Sequence, residues 1–150
     1  MQTLHDLDTL LSQMNPLLNP GRYAFVTLPS NLPGVPTYSI ATIVEPEGRS
    51  AIVAEREAVE MGLPVAFTAA WITLGVHSDL AAIGLTAAFS RALAQAGISC
   101  NVVAGVHHDH LFVPAGQAPK AMDVLHALQQ TAAQDLVATE AQKHDSQPGH

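Results

Sequence analysis

The sequence is short of several things. Of its 150 residues only 6 are Lys or Arg, against 13 Asp or Glu, a formal net charge of −7. No stripe of bases is present to neutralise phosphates, which argues against nucleic-acid binding and against adhesion to anionic membranes. The single cysteine, Cys100, excludes an internal disulfide and fits a reducing cytoplasm. No apolar run approaches the roughly 20 residues of a membrane span. The first Lys or Arg is Arg22, and Asp6 and Asp8 break the apolar positions before it, so no secretory signal is expected. No Gly-rich phosphate loop, G-x-S-x-G elbow or H-E-x-x-H motif occurs, so nothing indicates a cofactor or a catalytic class.

Charge is scarcest in the second half. From Met61 to Gln134 the only acids are Asp79, Asp109 and Asp123, and the only bases Arg91 and Lys120. Such a stretch implies extensive burial, within the chain or against a second copy. With 48% hydrophobic residues, one compact domain or two small modules sharing a core are both within reach.

What is there reads as alternating strands and helices. Leu4, Leu7, Leu10, Leu11 and Met14 make one helical stripe over 3–14, with Thr3 as its cap. Asn15-Pro16 ends it, since the residue before proline avoids the helical region. "RYAFVTL" from Arg22 is a strand, "PSNLPGVPTY" a loop, "SIATIVE" a second strand, and "EPEGRS" a turn with Gly48 at positive φ. "AIVAE" is a third strand, followed by a short helix ending at Gly62. "VAFTAAWITLGV" from Val65 is a strand or a bent pair. Ser78 or Asp79 caps the next helix, whose face is Leu85, Phe89, Ala92, Leu93 and Ala96, with Gly97 just past its end. "ISCNVVAG" and "HLFVP" are strands, and Pro119 opens a last helix.

From Val65 this gives β-α-β-β-α, one strand short of the ferredoxin-like βαββαβ unit. The expected fold is therefore α+β, with two interlocked modules: an N-terminal helix over 1–15, an incomplete first module over 16–63, a second over 64–134, and a flexible tail over 135–150.

The stretch "VHSDLAAIGLTAAFSRALAQAGISCNVVAGVHHDHLFVP" resembles a family of small bacterial ACT-domain proteins. The likeness rests on Val76-His77-Ser78, Gly84-Leu85-Thr86-Ala87-Ala88, Ala96-Gly97-Ile98-Ser99, Cys100-Asn101-Val102 and His108-Asp109-His110. "EPEGRSAIVAEREA" is similar to the family's first half, although Arg49-Ser50 stands where Leu-Thr is expected. The resemblance implies a regulatory module that binds an amino-acid-like ligand between modules or subunits, as a homodimer.

Within that reading, "HSDLAAIGLT" would hold the ligand. A helix start offers free N–H groups to a carboxylate, Asp79 can meet an ammonium, and Gly84 lets a ligand approach. His77, Ser78, Asp79, Gly84, Leu85, Cys100, Asn101, His108 and His110 are the candidate ligand-binding residues, with no catalytic residue among them. Cys100, mid-strand among apolar residues, is expected to be inert.

The cluster His107, His108, Asp109, His110 supports a competing reading. If all lie in a strand, His108 and His110 share one face, half of a zinc or nickel site. No third ligand follows by spacing, and His77 qualifies only if the fold brings it close. The plainer expectation is a polar hairpin turn over Gly105 to His107. A purely structural interaction subunit is the third reading, with the charge-poor half as its contact surface.

Overall fold

The computed structural model describes residues 4–146, so the cap expected of Thr3 lies outside them. The elements run α1 (Leu4–Ser12), β1 (Pro16–Leu18), β2 (Tyr23–Thr27), β3 (Ala41–Glu45), β4 (Gly48–Ala54), α2 (Glu55–Glu60), β5 (Phe67–Leu74), α3 (Leu85–Gln95), β6 (Asn101–Ala104), β7 (Asp109–Pro114) and α4 (Ala118–Asp145). The strands form one seven-stranded antiparallel sheet in the order β3-β4-β2-β5-β7-β6, with β1 also on β5.

That order contains two ferredoxin-like units, and β5 belongs to both. In the first unit β2, β3 and β4 are followed by α2 and then β5, which returns beside β2 through Phe67–Ala69. In the second, β5 opens the unit and is followed by α3, β6, β7 and α4. Its fourth strand is β1, paired to the other half of β5 as Pro16↔Leu74 and Leu18↔Ile72. The modules are thus interlocked twice, by a shared strand and by an N-terminal strand that completes the later unit. In the first unit the loop over 28–40 stands where a helix would connect the first two strands.

Residues alternate between the two faces of the sheet. One face is covered by helices. Ala70, Ile72, Leu74, Leu111 and Val113 pack under Leu11 and Met14 of the α1 segment, Phe89 and Leu93 of α3, and Ala121 and Leu125 of α4. On the same face Ala24, Val26, Ala51 and Val53 pack beneath Ala58 of α2. Between α1 and α4, Asn15 and Gln129 bond twice: the Asn15 N–H donates to Gln129 Oε1 at 2.9 Å, and Gln129 Nε2 donates to Asn15 Oδ1 at 3.0 Å.

Two expectations need correction. Helix α3 starts at Leu85, not at Ser78 or Asp79. The Asp79 carboxylate accepts the Ala81 N–H at 2.8 Å and the Asp79 carbonyl accepts the Ala82 N–H, so this aspartate closes a turn of its own, in competition with a helix. Gly84, at φ +103°, is the N-cap residue, and a Cβ there would sit 3.3 Å from Leu7 of α1. The second correction concerns the tail: residues 135–145 continue α4. This stretch carries Leu, Gln, Glu and Ala and no Gly or Pro, so nothing in it stops a helix. No helix among the described residues is long and apolar enough to cross a membrane.

Candidate functional site

The second face of the sheet carries no helix. It displays Tyr23, Phe25, Phe67, Trp71 and Phe112, whose rings meet edge to face or stacked at 5.3 to 6.2 Å. Ala69 has no side chain large enough to separate its neighbours, so Phe25 of β2 and Phe112 of β7 touch across β5. Phe112 is fully buried there, while the other four rings are partly exposed.

A recess of about 390 Å³ opens on this face. One wall is Phe25, Thr27, Ile43, Ser50 and Ile52, from the first module; the other is Asn101 and Val103 of β6, from the second. The two ends of the sheet therefore face one another across it. Its polar groups are few: the Thr27 and Ser50 hydroxyls and the Asn101 amide. The Ser50 hydroxyl donates to the Glu45 carboxylate, which brings a negative charge beside the recess. Strand β6 ends the sheet order, so its outer edge presents unpaired backbone groups. A wider groove of about 800 Å³ runs past Tyr23, Ala54 and Val59. There Arg22 Nε is bound to Glu55 Oε2 at 2.7 Å, and Arg56 and Glu60 line the same groove.

Beside the aromatic rings a polar chain crosses the same face. Asn19 Nδ2 donates to Thr73 Oγ1 at 2.9 Å, and Thr73 Oγ1 lies 3.2 Å from His110 Nδ1. The Trp71 indole N–H donates to that same nitrogen at 3.1 Å. His110 Nδ1 is thus an acceptor and its proton sits on Nε2. Burial lowers the His110 pKa, His108 lowers it further, and Asp109 opposes both. Burial pushes the neighbouring Asp109 carboxyl up, against the pull of His110.

The turn between β6 and β7 is the expected polar hairpin. The Gly105 N–H donates to the His108 carbonyl at 2.9 Å, leaving Val106 and His107 at the tip. Gly105 is required by close approach, since a Cβ there would lie 3.0 Å from the His108 carbonyl oxygen and 3.3 Å from His110 Nε2.

The nine candidate residues separate into four places. His77, Ser78 and Asp79 line a shallow recess of about 330 Å³ with Leu80 and Val106, at the end of the sheet. His108 stands beside His77 at 5.0 Å between ring centres. Asn101 and His110 are on the open face. Gly84, Leu85 and Cys100 are structural: Gly84 lies against Leu7, Leu85 is a core residue, and Cys100 packs against the helix-covered core. Burial raises the Cys100 thiol pKa to about 11. The helix start expected to receive a carboxylate at Ser78–Asp79 does not exist there, because the chain turns at Asp79 first.

Sequence reasoning does not single out Phe25, Thr27, Ile43, Ser50 or Glu45. The alternation in "YAFVT" is the available signal, because it puts aromatics on the face opposite the core residues Ala24 and Val26.

Comparison with known proteins agrees with the two-unit architecture. Residues 3–70 match one model of the ACT domain and residues 67–127 match another. Both matches include residues 67–70, within the shared strand β5. A protein of unknown function from Vibrio cholerae, described as a possible transport protein, is 38% identical; the match covers 85% of this chain and 99% of that one, with a TM-score of 0.73. A protein from Agrobacterium tumefaciens shares 16% identity over 76% of this chain and 87% of its own, at a TM-score of 0.58. The regulatory subunit of aspartate kinase from Thermus flavus shares 14% over 75% of this chain and 95% of its own, at 0.51. The last two speak for the fold alone. No curated protein matches the chain.

Proposed function

This chain belongs to the ACT-domain family, and from that premise we propose that it is a non-catalytic regulatory module binding a small amino-acid-like ligand between its two units. ACT domains are typically regulatory amino-acid-binding modules. The observation that carries the proposal is the recess of about 390 Å³ walled by Phe25, Thr27 and Ser50 on one side and Asn101 and Val103 on the other. Its size falls in the range of small-molecule sites, about 300–1,000 Å³, and its lining is apolar with a few polar groups. Glu45, held by Ser50, is the partner for an ammonium group. Asn101 and the open backbone edge of β6 are the partners for a carboxylate.

The proposed mechanism is a population shift. A ligand that touches both ends of one sheet favours the curvature that closes them together, and any partner that prefers that curvature is recruited. We assign the regulated state to a homodimer acting in the cytoplasm, its contact formed through the uncovered face and the edge strands. Light scattering on the eluting protein tests the dimer, and a monomer at all concentrations removes it.

The ligand test is a thermal-shift panel of the untagged protein against the twenty amino acids. A ligand at about 100 times its Kd adds about 2.7 kcal/mol of stability, a readable rise in Tm. The expected hit is lost in Asn101→Ala and Phe25→Ala. A flat panel, or a hit that survives both substitutions, refutes the recess as the site.

A further inference from the structure

We propose that the recess between the two units selects one chemical class of ligand: amino acids whose side chain is large, apolar and uncharged. This inference rests on the reading of the recess as an amino-acid site and goes beyond it by naming the class. The lining carries it. The apolar side chains on the open face are Phe25, Ile43, Ile52 and Val103, and the polar ones are Thr27, Ser50 and Asn101. The lining contains no Asp, Glu, Lys, Arg or His. The histidine cluster at the end of the sheet is not a rival site for a metal: among the described residues no group of three or more His, Cys, Asp or Glu side chains could hold such an ion.

Strand alternation decides which charges reach the recess. Ile43 of β3 pairs with Ser50 of β4, and Glu45 with Gly48, so Ile43 and Glu45 share the face of Ser50 and Ile52. Glu45 therefore stands at the edge of the recess, where its carboxylate accepts from the Ser50 hydroxyl. Arg49, one position before Ser50, falls on the opposite face, and its Nη1 donates to the Gly34 carbonyl at 3.1 Å. The remaining Lys and Arg residues are elsewhere. Arg22 and Arg56 line the groove beside α2, Lys120 donates to the Ala96 carbonyl at 2.7 Å, and Arg91 and Lys143 belong to α3 and α4.

An amino acid seated with its ammonium on Glu45 thus finds no cation for a side-chain carboxylate. A side-chain ammonium or guanidinium would leave water for an apolar wall whose one neighbouring acid is already taken. Burying an unpaired charge costs more than the apolar contacts return. Size is read by the same walls. The side chain of glycine or alanine leaves most of the apolar lining wet, whereas that of leucine, methionine or phenylalanine covers it. Each buried methylene is worth about fourfold in affinity. Leucine carries three more carbons than alanine, a preference on the order of fiftyfold.

Isothermal titration calorimetry on the untagged full chain tests this with L-leucine, L-phenylalanine, L-alanine, L-aspartate and L-lysine. Leucine and phenylalanine are expected to bind saturably, alanine on the order of fiftyfold more weakly than leucine, and aspartate and lysine not measurably. Ile43→Asp puts a carboxylate into the apolar wall. The Ile43 side chain is 58% exposed on the edge strand β3, so the variant should fold. It is expected to weaken leucine binding by at least about tenfold and to admit lysine. Ile43→Val, which removes one methylene, is the control and should change leucine binding by no more than about fourfold. Alanine, aspartate or lysine binding as tightly as leucine, or leucine binding indifferent to Ile43→Asp, overturns the proposal. If a charged amino acid binds and is lost in Asn101→Ala, the recess remains an amino-acid site and the class alone is wrong. If none of these amino acids binds, the reading of the recess as an amino-acid site fails with it.

Discussion

The Trp71 indole N–H donates to Nδ1 of His110 at 3.1 Å, on a diagonal between the paired strands β5 and β7. Trp71 is the sole tryptophan, so its fluorescence reports on this contact directly. Burial and His108 hold the His110 pKa below 6.5, and the neutral ring keeps accepting the indole proton as the pH falls. The fluorescence midpoint is therefore expected below that value. Because the folded state disfavours the charged ring, the associated stability is fully present above pH 6.5 and declines as the pH falls through the lowered folded value. Urea midpoints at pH 8 and pH 5 check the sign; a higher midpoint at pH 5 would contradict it. His110→Phe strands the indole N–H and should cost about 1–3 kcal/mol.

Gly84→Ala forces a side chain into φ +103° with its Cβ 3.3 Å from Leu7. The expected loss is about 1–3 kcal/mol in urea unfolding, from backbone strain and from displacing α1. Gly116→Ala is the control, since a Cβ there meets nothing within 4 Å. Equal losses at the two positions would mean that Gly84 is not held by α1.

The Cys100 thiol, raised by burial from 9.0 to about 11, should be nearly unreactive in the folded protein. A thiol that holds its proton this much more tightly carries about a hundredfold less thiolate near neutrality. Disulfide exchange with a chromogenic reagent at pH 8 should be slow in buffer and fast in urea. Rapid reaction in buffer would show a thiol less buried than this.

Phe112 is fully buried on the open face, between Phe25 and Trp71. Phe112→Ala should cost about 3–5 kcal/mol by cavity formation. Val44→Ala, at a side chain 85% exposed on the edge strand β3, should change unfolding by less than about 0.5 kcal/mol. Similar effects at both positions would mean that the open face is not packed as described.

Elements with strong periodicity are legible in the sequence. The stripe through Leu85, Phe89 and Leu93 locates α3, and Gly97 marks its end. The start of α3 is not legible, because an aspartate that closes its own turn looks, in sequence, like one that caps a helix. Strand β1 is hidden for a different reason. Three residues led by a proline carry no alternation, and only the long-range pairing with β5 makes them a strand. The same limit applies to the recess, whose walls, residues 25–52 and 101–103, are far apart in the chain and meet only through curvature of the sheet. His77 is visible as a third imidazole, but its approach to His108 depends on the pairing of β5 with β7.

The double role of β5 also constrains how the molecule is made. On the ribosome the segment carrying α1 and β1 is synthesised before anything it packs against: its strand partner starts at Phe67, and the Gln129 side chain that binds Asn15 comes 114 residues later. The second unit cannot close until nearly all of the chain has emerged, while β2, β3 and β4 can pair early. The α1–β1 segment thus waits for residues as distant as Gln129. A cut in the loop between Leu18 and Tyr23 should therefore not release an N-terminal piece from the folded protein, because that piece is a strand and helix of the C-terminal unit.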